Sequence, residues 1–290
     1  MSMLSIVTEP ADMSQREFKL LSQLIYDWTG INLSDYKQPL LRSRLGKRMR
    51  ALGLKTFSEY YDVVAGEGLH GAESIQMVDA ISTNLTGFFR EPAHFDFLKR
   101  VFFSHWKKEP CIRILSAGCS SGEEPYSIAI CAREAFGESA ISKVRITAGD
   151  ISSRMLARAK SGVYPLKSVQ TLPLERLHAH FLQGSGSMKG MVAVAPEVKT
   201  LIDFQRLNLS EPLPFDTHFH AIFCRNVAIY FDRPTQQKLV AQFSEALLPH
   251  GTLFLGHSES MFTENRHFSY IQPTVYERRV RSGENHGSRS

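Results

Sequence analysis

The sequence predicts an α/β protein in which an all-helical N-terminal domain precedes a doubly wound domain with a small inserted β-subdomain. In residues 14–80, apolar positions recur at helical spacing with few β-branched residues between them. From residue 110 onward, short β-rich runs alternate with helical runs, which is typical of a parallel sheet with helices on both faces. Within residues 184–204, a Gly/Ser turn and two strand-like runs interrupt this alternation.

The composition is that of an ordinary globular protein. The chain has 290 residues, 43% hydrophobic and 22% charged, enough to bury an α/β core and a second, smaller domain. The N-terminus lacks a basic segment followed by an apolar core, and no window approaches about 18 uninterrupted apolar residues. We therefore expect a cytoplasmic protein without direct membrane insertion. Its formal net charge of +5 permits an acidic partner.

The changes of pattern set the expected boundaries. Gly30, Gly53 and Gly66 mark breaks between the first helices. The four cysteines show no metal-ligand spacing, so we expect free thiols and no metal. The predicted segments, in order, are a helical domain at 1–80, a linker at 81–109, the doubly wound domain at 110–280 with its β insertion at 184–204, and a disordered tail at 281–290.

Residues 115–130, LSAGCSSGEEPYSIAI, read as strand, tight loop and helix, where a doubly wound protein holds a cofactor. Gly118 and Gly122 let the backbone come close to a ligand. Glu123 and Glu124 would repel a pyrophosphate but suit a ligand with hydroxyls, an amine or a sulfonium cation, such as S-adenosylmethionine. Alternatively, the two acids only cap the helix and complement its dipole.

The run VRITAGD ends in Asp150, just before a predicted helix. An acid at the end of the second strand is placed to accept hydrogen bonds from both ribose hydroxyls of a nucleoside. An aspartate that only caps the helix would look identical in the sequence. Together with the acidic loop, the ribose interpretation is favoured, although the interval from Gly118 exceeds the usual one of about 20 residues.

Six short motifs occur along the chain. They are NLTGFFRE (84–91), SGEEPYS (121–127), GDIS (149–152), GVY (162–164), LNL (207–209) and FCRNVAIYFD (223–232). In this order they resemble the bacterial chemotaxis receptor methyltransferases, the CheR family, over nearly the whole chain. The resemblance implies a Rossmann-like S-adenosylmethionine-dependent methyltransferase domain with a small antiparallel β-subdomain insertion. It also implies methyl transfer to the carboxylate of glutamates on the cytoplasmic helices of chemoreceptors, with S-adenosylhomocysteine as the other product.

The resemblance also implies site residues. Arg90 would pair with the methionine carboxylate or orient the substrate carboxylate, and Tyr230 would lie near the transferring methyl group. Glu123 or Glu124 would contact the polar part of the cofactor, with Glu123 favoured, and Asp150 would bind the ribose. The further cofactor-binding residues that it implies are Asn84, Thr86, Asn208, Leu209, Cys224 and Arg225.

The implied chemistry makes few demands on other side chains. A carboxylate is already ionised at neutral pH and attacks the methyl group without a general base. Catalysis would then be positioning and exclusion of water. The eleven histidines show no pairing at catalytic or metal spacing, and His257 in GHSES reads as a residue at a strand end. Cys224 fits equally well as a small buried residue.

Residues 40–55, LLRSRLGKRMRALGLK, predict a basic amphipathic helix. The default interpretation is a solvated face, whereas the resemblance implies that the helix steers and orients acidic receptor helices. A basic helix beside this fold also describes RNA methyltransferases, but no NPPY tetrad, zinc knuckle or RNA-binding module is found, so nucleic acid is not the expected partner. The candidate substrate-binding residues are Arg42, Arg44, Lys47, Arg48 and Arg50.

Two further alternatives concern partners. Some members of the family dock a C-terminal receptor peptide on the β-subdomain and others do not, and the turn GSGSMKG is compatible with both, with docking preferred. A sensor that binds the cofactor without transferring a methyl group is disfavoured by Arg90 and Tyr230. We expect a monomer.

Overall fold

The computed structural model of the protein describes residues 12–262 and 266–280. These residues form two compact units, one made of residues 12–83 with Tyr230–Asp232 and the other of the remainder. The tail predicted to be disordered, at 281–290, lies outside the described residues.

The helical unit is built from helices with well-defined caps. Its described α-helices are α1 (Gln15–Thr29), α2 (Gln38–Leu52), α3 (Phe57–Glu67) and α4 (Ala72–Ile81). Capping boxes at Ser14 and Thr56 begin α1 and α3. Helix α3 passes through Gly66, which was predicted to be a break, and ends before Gly68. Its apolar face, including the fully buried Tyr60, packs into the core of this unit.

The second unit contains the remaining helices. In the described residues they are α5 (Pro92–Phe97), α6 (Phe103–Trp106), α7 (Glu123–Phe136), α8 (Ala140–Lys143), α9 (Ser153–Ser161), α10 (Leu174–His180), α11 (Pro196–Lys199) and α12 (Arg233–Ala246). A π-helical turn, Leu98–Phe102, joins α5 to α6. The predicted linker at 81–109 therefore differs from the structure, since Phe95, Leu98 and Phe102 are buried in the core of the second unit.

The strands of the second unit form two sheets. In chain order the described strands are β1 (Ile112–Ala117), β2 (Val144–Asp150), β3 (Val163–Pro165), β4 (Phe181–Gln183), β5 (Met191–Val194), β6 (Ile202–Arg206), β7 (Phe219–Cys224), β8 (Leu247–Leu255), β9 (Phe268–Gln272) and β10 (Val275–Arg278). The large sheet has the order β6-β2-β1-β7-β8-β10-β9. Its first five strands are parallel, whereas β10 is antiparallel to β8 and β9. The loops after β1, β2, β7 and β8 therefore meet at one edge of the sheet.

The small sheet has the order β3-β5-β4 and is antiparallel. The predicted β insertion at 184–204 has to be corrected, because this sheet begins at Val163 and ends at Val194. The strand-like run LIDF instead belongs to β6, which pairs in parallel with β2 at the edge of the large sheet. Strands of three residues, such as β3 and β4, are too short to show an alternating pattern in the sequence.

The predicted fold class is confirmed: a helical domain precedes a Rossmann-like domain that carries a small antiparallel sheet. In the part of the chain that the structure describes, no helix has the length and hydrophobicity needed to span a membrane.

Candidate active site

The loop between β1 and α7 has an unusual backbone. Gly118, Ser120 and Gly122 all have positive φ, at 82°, 48° and 97°. A Cβ on Gly118 would lie 2.3 Å from Val227 Cγ2, and one on Gly122 would lie 2.8 Å from Ala159 Cβ. The space that these glycines leave is therefore filled by the chain's own side chains. The sequence interpretation, in which they leave room for a ligand, missed this packing.

Ser120 joins three parts of the sequence at the carboxyl edge of the large sheet. Its N–H donates to Asp150 Oδ2 at 2.8 Å, and its hydroxyl donates to the carbonyl of Asn84 at 3.3 Å. The other carboxylate oxygen of Asp150 accepts the N–H of Ser152 at 2.8 Å. Asp150 is buried, so these bonds fix its carboxylate at the end of β2. Asn84, the glycine loop and the end of β2 thus form one hydrogen-bonded group.

The NLTGFFRE motif is anchored by its aromatic residues and backbone. Phe88 packs edge-on against Tyr164 and Phe181, with ring centroids 5.0 and 5.2 Å apart. The N–H of Phe89 donates to Ser127 Oγ on α7 at 2.9 Å. Tyr164, in the GVY motif, donates its hydroxyl to the carbonyl of Ser121 at 2.6 Å. The sequence interpretation gave GVY no role, and the structure shows that it supports the glycine loop.

Arg225 lies inside the protein, between two carboxylates. Its guanidinium is 3.1 Å from Glu124 Oε2 and 3.1 Å from Glu91 Oε2, and it also donates to the carbonyl of Arg90. Only 2% of the Arg225 side chain is exposed. The structure thus uses this guanidinium to tie the NLTGFFRE motif to the first turn of α7. Its predicted role beside the cofactor remains a prediction.

The two glutamates at the start of α7 have different surroundings. Glu124 accepts from Ser116 Oγ at 2.7 Å and from Arg225, and burial raises the pKa of its carboxyl despite these two partners. Glu123 accepts from Ser121 Oγ at 2.7 Å, and among the described residues no cation forms a salt bridge with it. Glu124 is therefore committed to an internal ion pair, whereas Glu123 is not.

Glu91, His94 and His257 bring potential metal-ligand atoms within 4.8 Å of one another. The sequence interpretation expected no metal and did not foresee this cluster, because the residues come from two distant segments. Burial alone would raise the pKa of Glu91, but its ion pair with Arg225, together with His257, lowers this pKa. His94 Nε2 is 2.6 Å from Thr274 Oγ1. An internal ion pair and this hydrogen bond therefore account for much of the cluster, and we assign no metal to it.

The remaining predicted cofactor residues occupy several positions in the second unit. Arg90 is half-buried and donates to the carbonyl of Leu85 at 2.9 Å. Asn208 Oδ1 accepts the N–H and the hydroxyl of Ser210, in a turn after β6. Thr86 is half-buried, in the loop that follows Asn84, and Leu209 is buried. The contacts of these residues are local to their own segments, and the roles that the resemblance implies remain predictions.

Cys224 and Tyr230 lie at and beyond the end of β7. Cys224 is fully buried, and burial raises the pKa of its thiol well above the usual value. Tyr230 does not continue the strand but ends a 3₁₀ turn, Ala228–Tyr230. It groups with the helical unit, where its carbonyl accepts the N–H of Asn32 at 2.8 Å.

The basic helix α2 uses several of its cations inside the helical unit. Arg44 donates to the carbonyls of Ile81 and Ser82. Arg48 donates two hydrogen bonds to the carboxylate of Glu73, at 2.9 and 2.6 Å. Arg42 pairs with Asp12 at the surface.

Lys47 and Arg50 differ from these three arginines. Both are exposed, and among the described residues no salt bridge or hydrogen bond involves the side chain of either one. The predicted cationic face of α2 therefore divides into residues that hold the unit together and residues that face solvent.

Comparisons with known proteins cover both units. The family model described as "CheR methyltransferase, SAM binding domain" matches residues 84–277, and "CheR methyltransferase, all-alpha domain" matches residues 16–82. A chemotaxis protein methyltransferase of Salmonella typhimurium is 39% identical over 280 residues, covering 95% of this chain and 94% of its own. Chemotaxis protein methyltransferase 2 of Pseudomonas aeruginosa is 39% identical over 264 residues, covering 91% of this chain and 93% of its own.

Proposed function

The chain belongs to the CheR methyltransferase family, and on this basis we propose that it methylates glutamates on the cytoplasmic helices of chemoreceptors. It is an S-adenosylmethionine-dependent methyltransferase. The product would be a glutamyl γ-methyl ester, formed during sensory adaptation in chemotaxis or a related pathway. The relatives are named chemotaxis protein methyltransferases, which supports a chemoreceptor as the substrate.

The hydrogen bonds of Ser120 are the structural observation that supports a cofactor site. One residue of the β1–α7 loop binds both Asp150 at the end of β2 and Asn84 at the start of NLTGFFRE. Motifs that are far apart in the sequence therefore meet at the carboxyl edge of a Rossmann-like sheet, which is where this fold binds ligands.

The charges at this edge fit S-adenosylmethionine. Carboxylates accept hydrogen bonds from ribose hydroxyls and attract amine and sulfonium cations. We assign Asp150 to the ribose, and Glu123 rather than Glu124 to the polar part of the cofactor, since Glu124 already pairs with Arg225. The residues that complete the proposed site are Asn84, Thr86, Arg90, Asn208, Leu209, Cys224 and Arg225.

In the proposed reaction the protein positions two ligands. S-adenosylmethionine supplies a methyl group activated by a positively charged sulfur. The substrate glutamate is ionised at neutral pH, so no side chain has to remove a proton from it. Arg90 offers forked donors to a carboxylate, either that of the cofactor or that of the substrate, and Tyr230 would lie near the transferring methyl group. The rate enhancement would come from alignment and exclusion of water.

For the substrate, we propose that Lys47 and Arg50 make the direct contacts on helix α2. They are exposed cations, whereas Arg42, Arg44 and Arg48 have partners within the helical unit. Cations on an exposed face would attract acidic receptor helices and orient them.

We also propose that the small sheet docks a C-terminal receptor peptide. Strand β4 lies at an edge of this sheet, and its Leu182 is 55% exposed. An added strand would pair with the edge, and apolar side chains would cover Leu182. Calorimetry with such a peptide should show binding that Leu182→Asp abolishes, and equal binding by that variant would contradict the proposal.

The proposed function is tested by transfer of labelled methyl from S-adenosylmethionine to a cytoplasmic chemoreceptor fragment. Label should appear on the receptor and be released by mild alkali as methanol, because carboxyl methyl esters hydrolyse in base whereas N-methyl groups do not. A receptor fragment with its methylation-region glutamates replaced by alanine is the matched control. Label that resists alkali would contradict the proposal. So would the absence of label on a range of receptor fragments, if the protein is shown to bind the cofactor.

A further inference from the structure

Glu259 is a buried carboxylate that binds backbone N–H groups. It lies after β8 in the 3₁₀ segment His257–Phe262, and 2% of the residue is exposed. Oε2 accepts the N–H groups of Gly256 at 2.7 Å and Asn226 at 2.8 Å. Oε1 accepts those of Val227 at 2.8 Å and Ala228 at 2.7 Å. Four backbone donors from two loops thus converge on one side chain.

These hydrogen bonds replace a cationic partner. Among the described residues, no Lys, Arg or His forms a salt bridge with Glu259. A buried carboxylate is costly unless its oxygens are hydrogen-bonded, and hydrogen bonds to a charged acceptor are the stronger ones. The buried carboxylate is therefore stabilised only while the N–H groups of residues 226–228 stay in place.

The segment that Glu259 holds is also packed tightly on both sides. Asn226 has a φ of 61°, in the left-handed region that asparagine adopts more readily than most residues. A Cβ on Gly256 would lie 2.8 Å from Asn226 N. On the other side, Val227 Cγ2 fills the space beside Gly118, where a Cβ would lie 2.3 Å away. The ends of β8, β7 and β1, which are neighbouring parallel strands, are thereby pressed together.

We propose that Glu259 is a positioning residue of the methyl-transfer site, which rests on the function proposed above. It holds the segment after β7 at the place where Val227 supports the glycine loop and where the chain continues towards Tyr230. Glu259 itself does not touch the reacting groups. Its effect passes through the backbone of residues 226–228 to the loop that contains Ser120.

The first test measures S-adenosylhomocysteine binding by calorimetry in the full chain with Glu259→Gln. The amide keeps the size of the side chain but removes its charge and presents a donor to backbone donors. We expect the dissociation constant to rise about tenfold, the size expected for one charge-assisted hydrogen bond. Hydrogen exchange at Asn226, Val227 and Ala228 should accelerate. Because this assay needs no receptor, it is independent of which substrate is methylated.

A matched control separates positioning from general destabilisation. Val144→Ala truncates a buried residue at the start of β2, the end away from Asp150. It should lower the melting temperature without changing the affinity for S-adenosylhomocysteine. If Glu259→Gln binds S-adenosylhomocysteine as tightly as the natural chain, or loses no more affinity than Val144→Ala at equal loss of stability, the positioning role is wrong.

A second variant disturbs the same segment but keeps the carboxylate of Glu259. Gly256→Ala places a methyl group against Asn226 N and should weaken S-adenosylhomocysteine binding with the same acceleration of exchange at 226–228. This variant decides the matter if Glu259→Gln does not fold. Unchanged affinity in Gly256→Ala, with the exchange accelerated, would show that the segment does not position the site.

Discussion

Helix α2 concentrates cations and the carboxyl edge of the large sheet concentrates carboxylates around Arg225, and the two regions hold these charges differently. On α2, Arg48 binds the Glu73 side chain and Arg44 binds main-chain carbonyls of its own unit. At the sheet edge, Asp150 and Glu259 are held by backbone N–H groups that strand ends and turns supply. Side-chain pairs tie helices to one another, whereas backbone donors fix the shape of loops.

In both regions, most of the charge is used inside the protein and a minority is left for a ligand or partner. On α2 this minority is Lys47 and Arg50, and beside Glu124 it is Glu123. The comparison teaches that the number of charges in a motif does not indicate how many are available for function. Charges that already form an ion pair inside the fold have to be excluded first.

The largest effect is expected for Arg225→Ala. It leaves Glu91 and Glu124 buried without their shared cation, and breaking such a buried pair costs about 3–5 kcal/mol. The free energy of unfolding, measured with urea, checks this value. Arg42→Ala is the control, because its pair with Asp12 is exposed and should contribute nothing measurable. Equal stability of the two variants would show that the buried network does not stabilise the second unit.

The next effect concerns pH and distinguishes the two units. Burial, reinforced by Arg225 for His94 and by Arg113 for His220, lowers the pKa of each histidine to about 4. In the unfolded chain the pKa of each histidine is about 6.5. Between these values the unfolded state binds more protons, so stability falls as pH falls, by about 1.4 kcal/mol per pH unit for each histidine.

Urea unfolding at about pH 6.5, 6.0, 5.5 and 5.0, within this window, measures the slope. Among the described residues of the helical unit, no histidine is buried, so the second unit should account for the loss of stability. His220→Gln should reduce the slope by the share of one histidine, since His94 and His180, whose pKa burial also lowers, are kept. A slope unchanged by this variant would contradict the assignment to His94 and His220.

The sequence predicted most of what forms the site edge. Strands β1, β2 and β7 are apolar runs followed by turn residues, and such runs predict buried strands wherever they occur. Periodicity does not indicate which sheet a strand joins, so LIDF was assigned to the insertion although it pairs with β2. The short strands β3 and β4 offered no pattern to detect.

The roles of individual charges could not be predicted for a different reason. Glu123 and Glu124 are adjacent in sequence, but only Glu124 turns towards Arg225, which lies 101 residues further along the chain. Glu259 shows no motif in the sequence, because its partners are backbone N–H groups that have no side-chain signature. An acid three residues after Gly256, at the end of a strand, is the signal that could have identified it.

A smaller effect is expected for Glu123, compared with Glu134 near the other end of the same helix. Glu123→Gln should raise the dissociation constant of S-adenosylhomocysteine about tenfold, because the carboxylate proposed to contact the cofactor loses its charge. Glu134→Gln is the matched control, since Glu134 pairs with Lys99 and Arg176 about 16 Å further along α7. Calorimetry that gives the same affinity for both variants would remove Glu123 from the site.

The smallest effect concerns the exposed cations of α2. Reversing Lys47 and Arg50 to Glu should lower the initial rate of receptor methylation about fivefold at low salt, because exposed charges act mainly on encounter and orientation, and high salt should reduce the difference. Lys107→Glu with Lys108→Glu changes the net charge equally through exposed lysines of the second unit and should leave the rate unchanged. If both pairs of reversals slow methylation equally, only net charge matters. If neither slows it, Lys47 and Arg50 form a solvated face of α2 and do not contribute to recognition of the receptor.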